Sequence, residues 1–155
     1  MTRSSKGFTL LEIMVALTLA MLLTGGVIAG YTQFTNNQKI KQTANTLKNN
    51  LRFVQSKARI GEKPPVVTCA SLLGYRVTFT ATSYSYVIEC SPGASGATAT
   101  EIELPASVTF SPVPDPLLFR VLDHGVDIDS TLIITLISGS LEAEVEIDPK
   151  GEIKG

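Results

Sequence analysis

Three groups of residues in this 155-residue chain have a chemical character beyond holding a fold together. Glu12 is a carboxylate near the front of a run, Phe8 to Gly30, that is otherwise apolar except for Thr9, Thr18 and Thr24. A carboxylate in apolar surroundings either takes a proton or finds a cation. Apart from Lys6 the sequence offers no base nearby, so the cation has to come from a cleaved terminus or from another chain. Cys69 and Cys90 are the second group. In an exported chain an even pair reads as one disulfide, Cys69–Cys90, and in a reducing compartment as two buried thiols. They are not a zinc site, which needs about four ligands, because the chain has two Cys and one His.

The third group is Asp123-His124-Gly125-Val126-Asp127-Ile128-Asp129. Asp123, Asp127 and Asp129 are weak calcium candidates by their oxygen chemistry. The spacing is not that of an EF-hand, and the favoured reading of the acids is a solvated connection before the strand at Thr131. His124 as a general base lacks an identifiable nucleophile, since no nucleophile-elbow pattern occurs, and no glycine-rich phosphate loop is present. The reading is therefore not an enzyme, with no cofactor and no metal.

The elements that carry these residues follow from periodicity. Residues 8 to about 59 read as one long helix. Its first part is apolar all round, and at about 1.5 Å per residue Phe8–Gly30 is long enough to cross a bilayer core. Its second part is amphipathic, with Ile40, Ala44, Leu47, Leu51, Val54 and Ala58 recurring every three or four residues. Gly25, Gly26 and Gly30 soften the junction. Gly61 and Pro64-Pro65 stop the helix.

Beyond it the pattern is β. Strands are expected at Gly74–Ala81 and Tyr84–Cys90, joined by a turn at Thr82-Ser83, then at Glu101–Leu104, Val108–Ser111, Leu117–Leu122 and Thr131–Ile137. Ser91–Ala99 is a loop. In Leu141–Ile147 the apolar and glutamate residues alternate strictly, a half-buried strand with an acidic outer face. Asp148-Pro149-Lys150-Gly151 suits a type I turn before a last strand. The fold class is α+β, a long N-terminal helix packed on an antiparallel sheet or sandwich-like head. The expected segments are a leader at 1–7, an apolar helix at 8–30, its amphipathic continuation at 31–60, and a β-rich head at 61–155.

A net charge of −1 hides a division. From Lys39 to Arg59 there are six bases and no acid. From Ile60 onward five bases face thirteen acids, a net of −8. Nucleic-acid binding wants clustered bases on an accessible face, and an acidic head disfavours it, so DNA is a possible but not a favoured partner. The division suits assembly instead, with Lys48 and Arg52 of one subunit near the acidic heads of its neighbours.

The stretch Lys6-Gly7-Phe8-Thr9-Leu10-Leu11-Glu12, a basic leader ending in Gly before an apolar run with an acid at its fifth position, resembles the class III signal of type IV pilins and pseudopilins. The resemblance implies that a prepilin peptidase cuts between Gly7 and Phe8 and methylates the new amine of Phe8. It implies that Glu12 pairs with the N-terminal amine of a neighbouring subunit. It also implies a single pass through the inner membrane, an exported head, and incorporation into a filament by a secretion or pilus assembly platform. An ordinary signal peptide cut after Ala29 competes. Against it, the run exceeds the usual h-region of about 7–15 residues and contains Glu12. LRFVQSKARI, ELPASVTF and the closing EVEIDPKGEIKG are similar to the H-type minor pseudopilin and FimT-like minor pilin group. Members of that group place a β-sandwich-like head after the stalk helix.

Overall fold

The computed structural model describes residues 7–65, 68–93, 97–122 and 125–155, with the side chains of 24–30 outside the description. The chain divides into two compact units, Met1–Asn37 and Gln38–Gly155. One helix, α1 (Leu10–Arg59), runs from the first into the second and continues through Gly25, Gly26 and Gly30.

The helix begins two residues later than periodicity predicts because Thr9 caps it. The Glu12 amide donates to the Thr9 hydroxyl at 3.3 Å and to the Thr9 carbonyl at 3.1 Å, satisfying a donor that a helix start leaves open. Its end is a Schellman turn. Gly61 takes φ 64°, its amide donates to Ala58 O, and the Glu62 amide donates to Lys57 O, each at 3.0 Å. A side chain at Gly61 would be held in the left-handed region, which only glycine enters freely.

The second unit has two four-stranded antiparallel sheets, so the fold is α+β. The first sheet is built from β1 (Ser71–Phe79), β2 (Ser83–Ser91), β3 (Thr100–Glu103) and β5 (Leu117–Arg120), in the order β3-β2-β1-β5. The second contains β4 (Thr109–Phe110), β6 (Leu132–Ser138), β7 (Leu141–Ile147) and β8 (Ile153–Lys154), in the order β4-β6-β7-β8. Tyr75, Val77, Phe79, Tyr84, Ile88, Leu117 and Phe119 of the first sheet share one core with Phe110, Ile134, Leu136, Val145, Ile147 and Ile153 of the second. The helix stripe Ile40, Leu47, Leu51, Val54 and Ala58 completes it, with Ala44 packed at its edge. Burial of that stripe places residues 38–59 with the head.

Several strand boundaries depart from the alternation pattern, and two of them have a clear cause. β1 starts at Ser71 rather than Gly74, because the ladder to β2 continues past a register shift between Leu72 and Gly74. Gly74 sits where β5 crosses closest: a Cβ there would lie 2.0 Å from Phe119 O. β5 stops at Arg120, two residues early. The Val121 amide still donates to Leu73 O of β1 at 3.0 Å, and Leu122 turns away to the helix end, where its amide donates to Ala58 O at 3.2 Å and it takes φ 57°. The alternating Leu141–Ile147 segment is β7 with the boundaries its pattern predicts, and the Gly151 amide closes the following turn onto Asp148 O at 2.9 Å.

The polar face of α1 is engaged as well. Gln55 Nε2 donates to Gly151 O at 2.6 Å, Arg52 Nη2 to Ile153 O at 2.9 Å, and Lys48 Nζ to Gly155 O. Alternate carbonyls of the last segment thus meet helix positions three and four apart, so this strand lies along the helix. Lys48 and Arg52, read from the sequence as contacts for neighbouring subunits, serve the fold of their own chain.

Candidate functional site

The N-terminal site is built on the first turns of α1. Gly7, Phe8 and Thr9 lie outside the helix in no regular structure, and Gly7 and Phe8 are exposed. A protease needs an accessible segment of this kind, and the Thr9 cap sets the boundary two residues past the Gly7–Phe8 bond. Glu12 lies in the first turn, where an acid is favoured by the helix dipole. Thr9-Leu10-Leu11-Glu12 is also the capping-box pattern. Sequence reasoning overlooked that local role, although the Thr–Glu spacing was there to signal it.

Phe8, Glu12, Ile13, Ala16, Leu17 and Ala20 line one open groove of 550 Å³ along the helix. The small Ala16 and Ala20 make the hollow, and Glu12 is the charged group at its front. Around the rest of the helix the apolar side chains from Leu10 to Leu23 stand exposed. Such a surface can receive other apolar helices with a cation brought to Glu12. Among the described residues no helix is long and apolar enough to cross a membrane; the described side chains of the apolar run stop at Leu23.

Cys69 and Cys90 form a disulfide with their Cα atoms 5.7 Å apart. It ties the chain just before β1 to the end of β2, where Leu72 pairs with Cys90. Lys63 Nζ donates to Cys69 O at 2.6 Å and steadies the same approach.

Of the acidic cluster, Asp123 and His124 lie outside the described residues. Asp127 and Asp129 are exposed and share a shallow groove of 280 Å³ with Asp115. Among the described residues no three side chains are grouped to hold a metal ion. Asp127 instead takes a hydrogen bond from Arg120 Nη2 at 2.5 Å.

Three of the five bases of the head, Arg76, Arg120 and Lys154, pair with carboxylates. Arg76 grips the Glu89 carboxylate with two nitrogens, and that bond, despite some burial, raises the guanidinium further above its ordinary range. Lys154 pairs with Glu152 at 3.0 Å. Each of these cations has a neutralising carboxylate, which leaves little field to attract phosphates.

Residues 2–28 match the family described as the prokaryotic N-terminal methylation motif. No curated protein and no solved structure matches the chain. The matched span contains the leader, the Gly7–Phe8 bond, Glu12 and most of the apolar run. The N-terminal segment of this chain therefore carries the N-terminal methylation motif of a type IV pilin-type prepilin leader.

Proposed function

We propose that this chain is a minor pilin or pseudopilin, a structural subunit and not an enzyme. A prepilin peptidase cuts it between Gly7 and Phe8 and methylates the Phe8 amine. Phe8 to Gly30 holds the precursor in the inner membrane as a single pass, with the head exported. On assembly the same segment enters the filament core, where the Phe8 amine of a neighbouring subunit neutralises Glu12. The observation that carries this reading is the methylation motif at residues 2–28, and the groove with Glu12 at its front supports it. The disulfide Cys69–Cys90 suits an exported, oxidised head. Its partners are the peptidase, other pilin or pseudopilin subunits and the assembly platform of a pilus or a type II secretion system, with the H-type or FimT-like group the nearest in kind.

The test is the intact mass and N-terminal residue of the protein recovered from membranes. A chain beginning at N-methylated Phe8 is the expected result. A chain beginning at Gly30 makes this an ordinary secreted protein and removes Glu12 from any filament role. An uncut chain leaves a membrane-anchored head and overturns the filament reading.

A further inference from the structure

The first sheet ends at β3, and no strand pairs with the far side of β3 among the described residues. The β2–β3 ladder fixes which groups are left open. The Leu104 amide donates to Thr82 O at 2.8 Å, and Tyr84 stands opposite Ile102. Even-numbered residues of β3 are thus committed to β2, and the main-chain N–H and C=O groups of Glu101 and Glu103 point outward. Directly beside this edge lies a groove of 340 Å³, floored by Tyr84, Ile102 and Leu104 and walled by Lys39 and Thr43 of α1. That volume is at the small end of the about 300–1,000 Å³ range of binding pockets.

From these features we infer that β3 is a docking edge for an extended segment of another protein, in which basic residues alternate with apolar ones. The added strand would hydrogen-bond to the main chain of Glu101 and Glu103, the mode known as strand addition. On such a strand successive side chains alternate between faces. One set would enter the groove beside Ile102 and Leu104, and the other would stand across from Glu101 and Glu103. Glu101 is already held by the Ser83 hydroxyl at 2.8 Å, which fixes the carboxylate on that face. Charge decides the occupant. A second copy pairing through its own β3 would set Glu101 and Glu103 against the same glutamates, and like charges directly opposed are destabilising. A segment bearing Lys or Arg at those positions turns the repulsion into attraction. The inference uses the head alone and stands whether or not the chain enters a filament.

The test uses the isotopically labelled full chain in detergent micelles and two short blocked peptides, one alternating lysine with valine and one alternating glutamate with valine. The lysine peptide should shift the Glu101 and Glu103 amides, slow their exchange, and bind at least about tenfold tighter than the glutamate peptide. Glu103→Pro removes an outward N–H that the fold does not use, so it should abolish these shifts while the chemical shifts of β1 and β2 persist. Glu103→Lys keeps the backbone intact and should narrow or reverse the preference between the peptides. Absence of binding, equal binding of the two peptides, or binding indifferent to both substitutions overturns the inference. So does peptide-free, concentration-dependent broadening confined to β3, which would assign the edge to a second copy.

Discussion

Two stretches of the same helix use the same residue types to opposite ends. In the first, Leu11 and Leu22 are each 75% exposed; in the second, Leu47 is 0% and Leu51 1% exposed. The second stretch has its apolar residues on one stripe, and the two sheets of the head cover that stripe. The first has them on every side, and its described apolar side chains stand exposed. A helix apolar all round is stable only when it is surrounded, by lipid or by other helices. The comparison thus assigns the burial of residues 40–58 to folding, and under the proposed function residues 10–23 are the part left for neighbouring subunits to cover.

The largest effect should come from breaking the second stretch. Leu47→Ala should cost about 2–5 kcal/mol of the head's unfolding free energy through lost burial and the cavity left behind. Leu19→Ala, in the first stretch, should leave it within about 0.5 kcal/mol. Denaturant unfolding of the full chain in detergent, followed through a head signal, separates the two. Equal losses would mean that the two stretches form one cooperative unit, and the comparison would fail.

Next in size is the covalent tie. Cys69 and Cys90 are 21 residues apart, and a closed loop of that length stabilises by about 3 kcal/mol through the unfolded state. Unfolding with and without reductant should show a loss of that order. A midpoint indifferent to reductant would place the stability of β1 and β2 in the core packing alone.

The polar side of the second stretch sharpens the contrast further. Arg52 donates to Ile153 O from a helix face that the sequence presents as merely basic. Arg52→Ala should cost about 1–2 kcal/mol, since a charged donor is lost and a carbonyl left unmet. Arg59→Ala, at the exposed end of the helix, should change stability by less than about 0.5 kcal/mol. A negligible cost at Arg52 would return it to the role of a contact for neighbouring subunits.

What the sequence disclosed divides along the same line. The helix stripe, Gly61 as its stop and the Leu141–Ile147 strand were legible because each is a local pattern, a period of 3.6, a left-handed glycine or a period of two. The methylation motif at residues 2–28 was legible because leader, run and acid lie within a few residues of one another. Contacts between distant segments were not legible. Nothing in Lys48, Arg52 or Gln55 says that carbonyls about a hundred residues later lie beside them, and nothing in Arg76 or Arg120 names Glu89 or Asp127. The early end of β5 has the same origin, because Leu122 is drawn off to close the helix end. The capping role of Thr9 is local as well, carried by the three-residue spacing from Thr9 to Glu12.

The smallest effect concerns Tyr84, which the second stretch helps to bury. Burial raises the Tyr84 hydroxyl above its ordinary value of 10.0, and the hydrogen bond from Asn50 at 2.6 Å opposes the rise only in part. The sign follows from linkage. Above pH 10 the unfolded chain releases this proton while the folded chain keeps it, so the folded state loses stability as pH climbs from there through the folded value. Tyr75 is raised by burial in the same direction, and Lys57, raised by its bond to Glu62, adds to the same slope. Tyr84→Phe isolates one share. It should lower stability at neutral pH by about 1 kcal/mol, because Asn50 loses its acceptor, yet make the decline above pH 10 shallower than in the parent chain. The measurement is the unfolding free energy of both proteins at a series of alkaline pH values. If the two curves run parallel, Tyr84 is ionising in the folded state as it does in the unfolded one. Water would then reach it, and the seam between α1 and the first sheet would be open at Tyr84.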